Sequence, residues 1–319
     1  MNSLKVLVLK IIKKLHYSKI KNYKNIYYEI LKENKLNFID VGASIQIIQR
    51  WKKIDKVNIN YYLFEPNSKE AIKLGKNRKF YNEYKVFNYA LSNKTEYRDL
   101  YITKGIYQSS FLYPNYNFLN KFKDVNRYKI VKKERVKAVQ LDQIKIKKPD
   151  FIKIDVQGFN YEVLEGSKKT LNKTIGIDIE VDFHQLYKKE FLYGKINEFL
   201  DKNKFEFIDF TYLSRWERDK FDNNGQCVFG NALYLKKTDY ILKLNKESII
   251  KYIAIVLLYN KFDLAKYVLN KTKKINNKNK IFLQIKKLES ISKRSDKVKS
   301  VSNALVKLFD LDHNMYLFK

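Results

Sequence analysis

Cysteine, proline, glycine and arginine are all scarce in this chain, and each scarcity removes a class of protein. One cysteine, Cys227, in 319 residues cannot close an internal disulfide. That excludes a disulfide-held secreted scaffold and fits a reducing cytoplasm. One cysteine and three scattered histidines, His16, His184 and His313, cannot assemble the usual ligand set for zinc. Three prolines and nine glycines leave little for long flexible linkers. No apolar run approaches the roughly 18 residues that a membrane span needs. Near the start, the apolar stretch Val6 to Leu9 is broken by Lys10, Lys13 and Lys14 and lacks a small-residue cleavage site, so it does not read as a signal peptide. Only eight of the 65 basic residues are arginine, the type suited to base edges and bidentate phosphate contacts. The formal charge of +31 therefore reads as lysine spread over the surface, with no specific nucleic-acid partner expected. Such a surface still attracts anionic partners, including the face of an anionic membrane, without specificity.

The chain is 45% hydrophobic, enough for one sizeable core and a second, smaller unit. Three parts emerge. Residues 1–34 read as helical, with Leu4, Leu7, Ile11, Ile12 and Leu15 near helical spacing. A basic amphipathic helix of this kind suits a membrane surface or the edge of a domain. From Lys35 to Lys237 short apolar strands alternate with amphipathic helices. The strands are expected at Leu36–Val41, Asn60–Phe64, Lys85–Ala90, Asp150–Asp155, Thr174–Val181, Phe205–Tyr212 and Cys227–Lys236. The helices are expected at Ile45–Lys53, Ser68–Lys76, Tyr161–Leu171 and Phe191–Asn203. This alternation predicts a doubly wound, mostly parallel α/β sheet of Rossmann-like type. The last two strands are joined only by a loop with Asp222, Asn223, Asn224 and Gly225, which predicts an antiparallel hairpin. Residues 238–319 read as an all-helical basic extension, with 18 Lys/Arg against 7 Asp/Glu. Helices are expected there at Glu247–Asn260, Phe262–Asn270, Lys280–Ser290 and Asp296–Phe309.

In an open parallel sheet a ligand sits beyond the carboxyl ends of the strands. Strand one ends in Phe38-Ile39-Asp40-Val41-Gly42-Ala43-Ser44, where a glycine lets backbone approach a ligand. The dinucleotide pattern G-x-G-x-x-G is absent, because Gln46 stands where a second glycine would fall. Asp40 suits a cationic or hydroxylated ligand better than a pyrophosphate. Strand two ends in Phe64-Glu65-Pro66-Asn67, placing an acid where it can accept hydrogen bonds from ribose hydroxyls. In Phe151-Ile152-Lys153-Ile154-Asp155 two charges interrupt an apolar strand, and burying them needs a partner or a function.

Three segments in order resemble the FkbM family of S-adenosylmethionine-dependent methyltransferases. They are Phe38–Ser44 with Glu65-Pro66, then Asn88-Tyr89-Ala90-Leu91-Ser92, then FIKIDVQGFNYEVLEG at Phe151–Gly166. Ser109-Ser110, Leu141-Asp142 and Glu180 fit the same spacing. The resemblance implies S-adenosylmethionine as cofactor and O-methylation of a hydroxyl on a sugar, glycan precursor or other small molecule. It implies that Asp40, Gly42 and Ser44 line the methionine end, Glu65 holds the ribose, Asn88 and Ala90 border the adenine, and Asp155 lies near the sulfonium. Three positions depart from the family pattern: Ser44 stands for asparagine, Gln46 for glycine and Gln157 for glutamate.

An alcohol acceptor is helped by a base as the new bond forms, and the candidates are Asp155, Glu180 and His184. Asp178, Glu180 and Asp182 alternate, so on a strand they share one face and offer oxygen ligands to a divalent metal. That pattern supports a metal-dependent glycosyltransferase as the competing enzyme. The preferred expectation is that the strand ends near Glu180, with Asp182 already in a loop and no metal bound. A non-catalytic binding protein with a basic tail is the third reading.

Overall fold

The protein, a computed structural model, is described over residues 20–43, 49–219 and 224–308. Ser44, Gln46, His16, His313, Asp222, Asn223 and the positions Leu4 to Leu15 lie outside the described residues. The chain forms two compact units. One comprises Leu36–Gln46 and Ile59–Ile241. The other groups Met1–Lys35 and Leu242–Lys319, read from sequence as separate parts, together with Ile47–Asn58.

The first unit is built on a seven-stranded sheet. Its strands are β1 (Leu36–Val41), β2 (Ile59–Phe64), β3 (Glu83–Phe87), β7 (Phe151–Ile154), β8 (Gly176–Asp182), β9 (Phe205–Trp216) and β10 (Gln226–Lys236). Their order is β3-β2-β1-β7-β8-β10-β9. β1, β2, β3, β7 and β8 are parallel. β10 runs antiparallel to both β8 and β9, as the missing crossover helix predicts. The central strands are near-continuous apolar runs because both faces are covered: all residues of β2, β7 and β8 are buried. Ile39, Ile152, Ile154, Ile177 and Ile179 share a core with Val163, Leu164, Leu171, Ile196 and Leu200 from the crossover helices. By alternation the opposite face takes Phe38, Asp40, Lys153, Asp178, Glu180 and Asp182, so the buried charges collect on one side of the sheet. Asp182 is inside β8 and paired with Phe229, which corrects the expectation of a loop there. The long partner β10 carries the pairing past Glu180.

A second, three-stranded sheet has the order β4-β6-β5, from β4 (Ala90–Leu91), β5 (Glu96–Thr103) and β6 (Ile130–Val139). The expected strand Lys85–Ala90 is split: β3 stops at Phe87, and Ala90 crosses over to pair with Ala138. The expected helix Tyr161–Leu171 is also split, into Asn160–Glu165 and Lys168–Leu171. The break falls at Gly166, where a β-carbon would lie 1.9 Å from the Ser92 carbonyl oxygen. Asp142 caps the second piece, accepting from the Lys169 and Thr170 amides at 2.8 Å each.

The other unit is helical among its described residues. Helices Lys246–Leu258, Phe262–Lys271 and Lys278–Leu308 follow residues 20–31, which are also helical. The last is one helix where two were expected, because no glycine or proline interrupts residues 278–308. Lys246–Leu258 is buried nearly all round, so it forms this unit's own core. No helix among the described residues is long and apolar enough to cross a membrane.

Candidate functional site

β1 leads outward to β2 and β3, and the chain then returns to place β7 on the other side of β1. The carboxyl ends of β1 and β7 are therefore the topological switch point, where such sheets leave a crevice. A cleft opens there, with about 1000 Å³ of empty space counting the part open to solvent. Val41, Gly42, Glu65, Asn67 and Glu70 line one side, and Asp155, Val156, Gln157 and Phe159 another. Ala90, Leu91, Leu100 and Ile102 add an apolar wall, and Tyr107 to Phe111 line the cleft as well. Among the described residues, the charged ones in this lining are acids: Glu65, Glu70 and Asp155.

Local sequence explains each placement. Gly42 has a φ of 74°, and a β-carbon there would lie 1.9 Å from the Asp155 carbonyl oxygen. Only glycine lets the ends of β1 and β7 approach this closely. Pro66 stops β2 and leaves Glu65 at its end, buried, with Oε1 accepting from the Asn67 amide at 2.8 Å. Asn67 then caps helix Ser68–Gly75. Burial pushes the Glu65 carboxyl up to about 7, against the pull of the Asn67 amide.

Asp40 does not line the cleft. It is buried behind it, where it accepts from the Tyr61 hydroxyl at 2.6 Å and pairs with Lys153 at 3.3 Å. Lys153 also reaches Asp155 at 3.5 Å and the Gly42 carbonyl at 3.2 Å. Burial works to lower the Lys153 pKa, but the charges of Asp40 and Asp155 outweigh it and hold the ammonium above its ordinary value. Lys153 thus ties the two acids of the strand ends to the glycine between them.

Asp155 and Glu180 are brought together. The Gln157 carboxamide donates to Asp155 Oδ1 at 2.9 Å and to Glu180 Oε1 at 3.1 Å. Glu180 is buried, and burial, followed by the charges of Asp155 and Asp182, raises its pKa well above the usual range. Asp182 is raised likewise, by burial and then by Glu190. Among the described residues no group of three or more His, Cys, Asp and Glu is arranged to hold a metal ion.

His184 stands apart from the lining. It stacks on Phe118, with ring centroids 5.0 Å apart, and its Nε2 lies 2.8 Å from Gln226 Nε2. Asn88 is exposed and donates to the carbonyls of Glu65 and Pro66 at 3.0 Å each, so it holds the turn that presents Glu65. Ala90 lines the apolar wall.

Sequence reasoning missed Leu100 and Ile102 of β5, Gln157 as a donor, and Tyr187 and Glu190. The alternation in Glu96–Thr103 marks a strand with Leu100 and Ile102 on its buried face, a signal obscured by the polar residues between them. Tyr187 and Glu190 carry no local signal, because they meet the site only through the fold.

The family described as the Methyltransferase FkbM domain matches residues 40–207, more than half of the chain. No curated protein matches the sequence. Among solved structures, the methyltransferase FkbM from Methylobacillus flagellatus is 15% identical, with a TM-score of 0.38. That match covers 63% of this chain and 43% of the Methylobacillus protein, so this chain spans less than half of that protein's length. Magnesium protoporphyrin IX methyltransferase from Synechocystis, with bound S-adenosylmethionine, is 10% identical over 73% of this chain and 82% of its own, with a TM-score of 0.37.

Proposed function

The chain belongs to the FkbM methyltransferase family, and we propose that it transfers a methyl group from S-adenosylmethionine to a hydroxyl oxygen on a sugar, a glycan precursor or another small molecule. The observation that carries this reading is the charge of the cleft. In a chain of +31, the crevice at the switch point is lined by Glu65, Glu70 and Asp155 and by no cation among its described residues. Such a lining suits a cationic nucleoside and repels a pyrophosphate. When bound, S-adenosylmethionine supplies an electrophilic methyl group on a positively charged sulfur.

The chain's own residues then have four tasks. Glu65 accepts hydrogen bonds from the ribose hydroxyls, which favours its ionised form against the burial that raises its pKa. Ala90, Leu91, Leu100 and Ile102 give the adenine a flat apolar wall. Asp155, beside Gly42, faces the sulfonium side and is the group we favour to accept the acceptor's proton, since it lines the cleft and His184 does not. Tyr107 to Phe111, also in the lining, narrow the space open to water, so that donor and acceptor stay aligned for in-line displacement. Asp40 acts on this set from behind, by holding Lys153.

Calorimetry with S-adenosylmethionine and with a nucleotide-sugar tests the reading. Binding of the former alone is the expected result. Binding of the nucleotide-sugar instead would favour a glycosyltransferase, and absence of S-adenosylmethionine binding would sink the proposal.

A further inference from the structure

Gln157 stands where four segments cross. Its φ is 52°, in the left-handed region that a side chain other than glycine adopts at a cost. Its carboxamide nitrogen donates to Asp155 at the end of β7 and to Glu180 on β8. Its carboxamide oxygen lies 3.2 Å from the Tyr187 hydroxyl, which donates to it. Its backbone carbonyl accepts from Ser110 Oγ at 2.6 Å, and Ser110 lines the cleft. The same Tyr187 hydroxyl also reaches the carbonyl of Gln108, another lining residue, at 2.9 Å. Two donors and one acceptor are needed on one short side chain, and only a carboxamide offers that set.

We infer that Gln157 is a positioning residue whose carboxamide locks Asp155 and Glu180 into one acceptor pair, while its backbone carbonyl joins that pair to the Tyr107–Phe111 side of the cleft. The inference rests on the reading of the cleft as the methyl-donor site. The charged and titratable groups facing the pair are Lys153 from β7, Asp40 from β1, Asp182 from β8, Glu190 and Tyr187 from the segment after β8, and Tyr128 before β6 with Arg127 beside it. Acids outnumber cations among them. The Gln157 donor works to lower the Glu180 pKa against burial and the charge of Asp155, so without it Glu180 would keep its proton to higher pH. The acids at the cleft would then carry less negative charge at low pH, the charge that distinguishes a sulfonium from a thioether.

The full-length protein is titrated calorimetrically with S-adenosylmethionine and with S-adenosylhomocysteine, from about pH 5.5 to pH 8.5, where a raised carboxyl would lose its proton. In the parent protein the ratio of the two affinities sets the baseline, including its change as Glu65 titrates near 7. In Gln157→Leu the preference for the sulfonium should fall about tenfold at the acid end and recover as pH rises. A ratio that follows the parent's at every pH overturns the inference. Gln157→Glu keeps the shape but donates only while protonated. Its carboxyl is held above its unfolded pKa by its neighbours, so its Tm relative to the parent should fall as pH rises. Parallel Tm curves overturn the inference by a route that needs no ligand. A parent protein that binds neither ligand refutes the proposed function, and the Tm curves then decide the pairing on their own.

Discussion

The cleft and the basic tail carry opposite charge for different physical reasons. The tail, residues 238–319, has a net charge of +11, and most of its described lysines, such as Lys246, Lys271 and Lys280, are exposed. The cleft's acids are few, but they are placed where water is thin: Glu65 is buried, and its carboxyl is pushed up to about 7. A surface charge is nearly free to change, whereas a buried one is tied to its partners. Net charge therefore says little about the site, and the buried acids say most. The clearest way to break this contrast is to remove Asp40. It is buried against Lys153, and Asp40→Ala would take away the nearest carboxylate of a buried ammonium, leaving it Asp155 and the Gly42 carbonyl. The expected loss is about 3–5 kcal/mol of stability, read by urea unfolding. A loss no larger than that of an exposed lysine would mean that the pair is not structural.

Glu65→Gln is expected to weaken S-adenosylmethionine binding about 10- to 100-fold by calorimetry, the range for hydrogen bonds to a charged group. Unchanged affinity would remove Glu65 from the site. The same variant has a second expected effect of opposite sign. In the folded protein Glu65 titrates near 7, above the usual carboxyl value, because burial disfavours its charge. A raised folded pKa contributes stability that is present below the unfolded pKa and lost as pH rises through about 7. Glutamine cannot ionise, so ligand-free Glu65→Gln should match the parent near pH 4 and exceed it by about 3 kcal/mol near pH 8. A gain that does not depend on pH would point to packing instead. Better stability with weaker binding is the mark of an acid kept for a ligand.

Much of this was legible in the sequence, and the reasons are local. Central strands such as Phe151–Ile154 are short apolar runs bounded by polar residues, and Asp40, Glu65 and Asp155 sit at strand ends where chain order alone places them. The second sheet was not legible. Glu96–Thr103 and Ile130–Val139 alternate, but one face of each is charged or tyrosine-rich, and nothing in either segment says that they pair with each other or with Ala90. The run from Asp178 to Asp182 misled in a different way. Acids with an apolar residue between them look like the end of a strand, and only the pairing of Asp182 with Phe229 shows that the strand continues. The role of Gln157 depends on Tyr187, Ser110 and Glu180, three residues distant in sequence, so no local pattern could have shown it.

The smallest expected effect tests the other side of the contrast. Lys202 lies 2.5 Å from Glu198, one turn away on helix Tyr193–Lys202, and both side chains are exposed. Glu198 also pairs with Lys195 at 3.3 Å, so losing one lysine leaves it a partner. The favourable pairing raises the pKa of Lys202, yet water and salt screen an interaction in so open a position. Lys202→Ala should leave Tm and S-adenosylmethionine affinity unchanged within error, by calorimetry at low and at high salt. A clear drop in either would show that surface lysine in this chain is more than solvated charge. The division between a tightly held acidic site and a loosely held basic surface would then have to be drawn elsewhere.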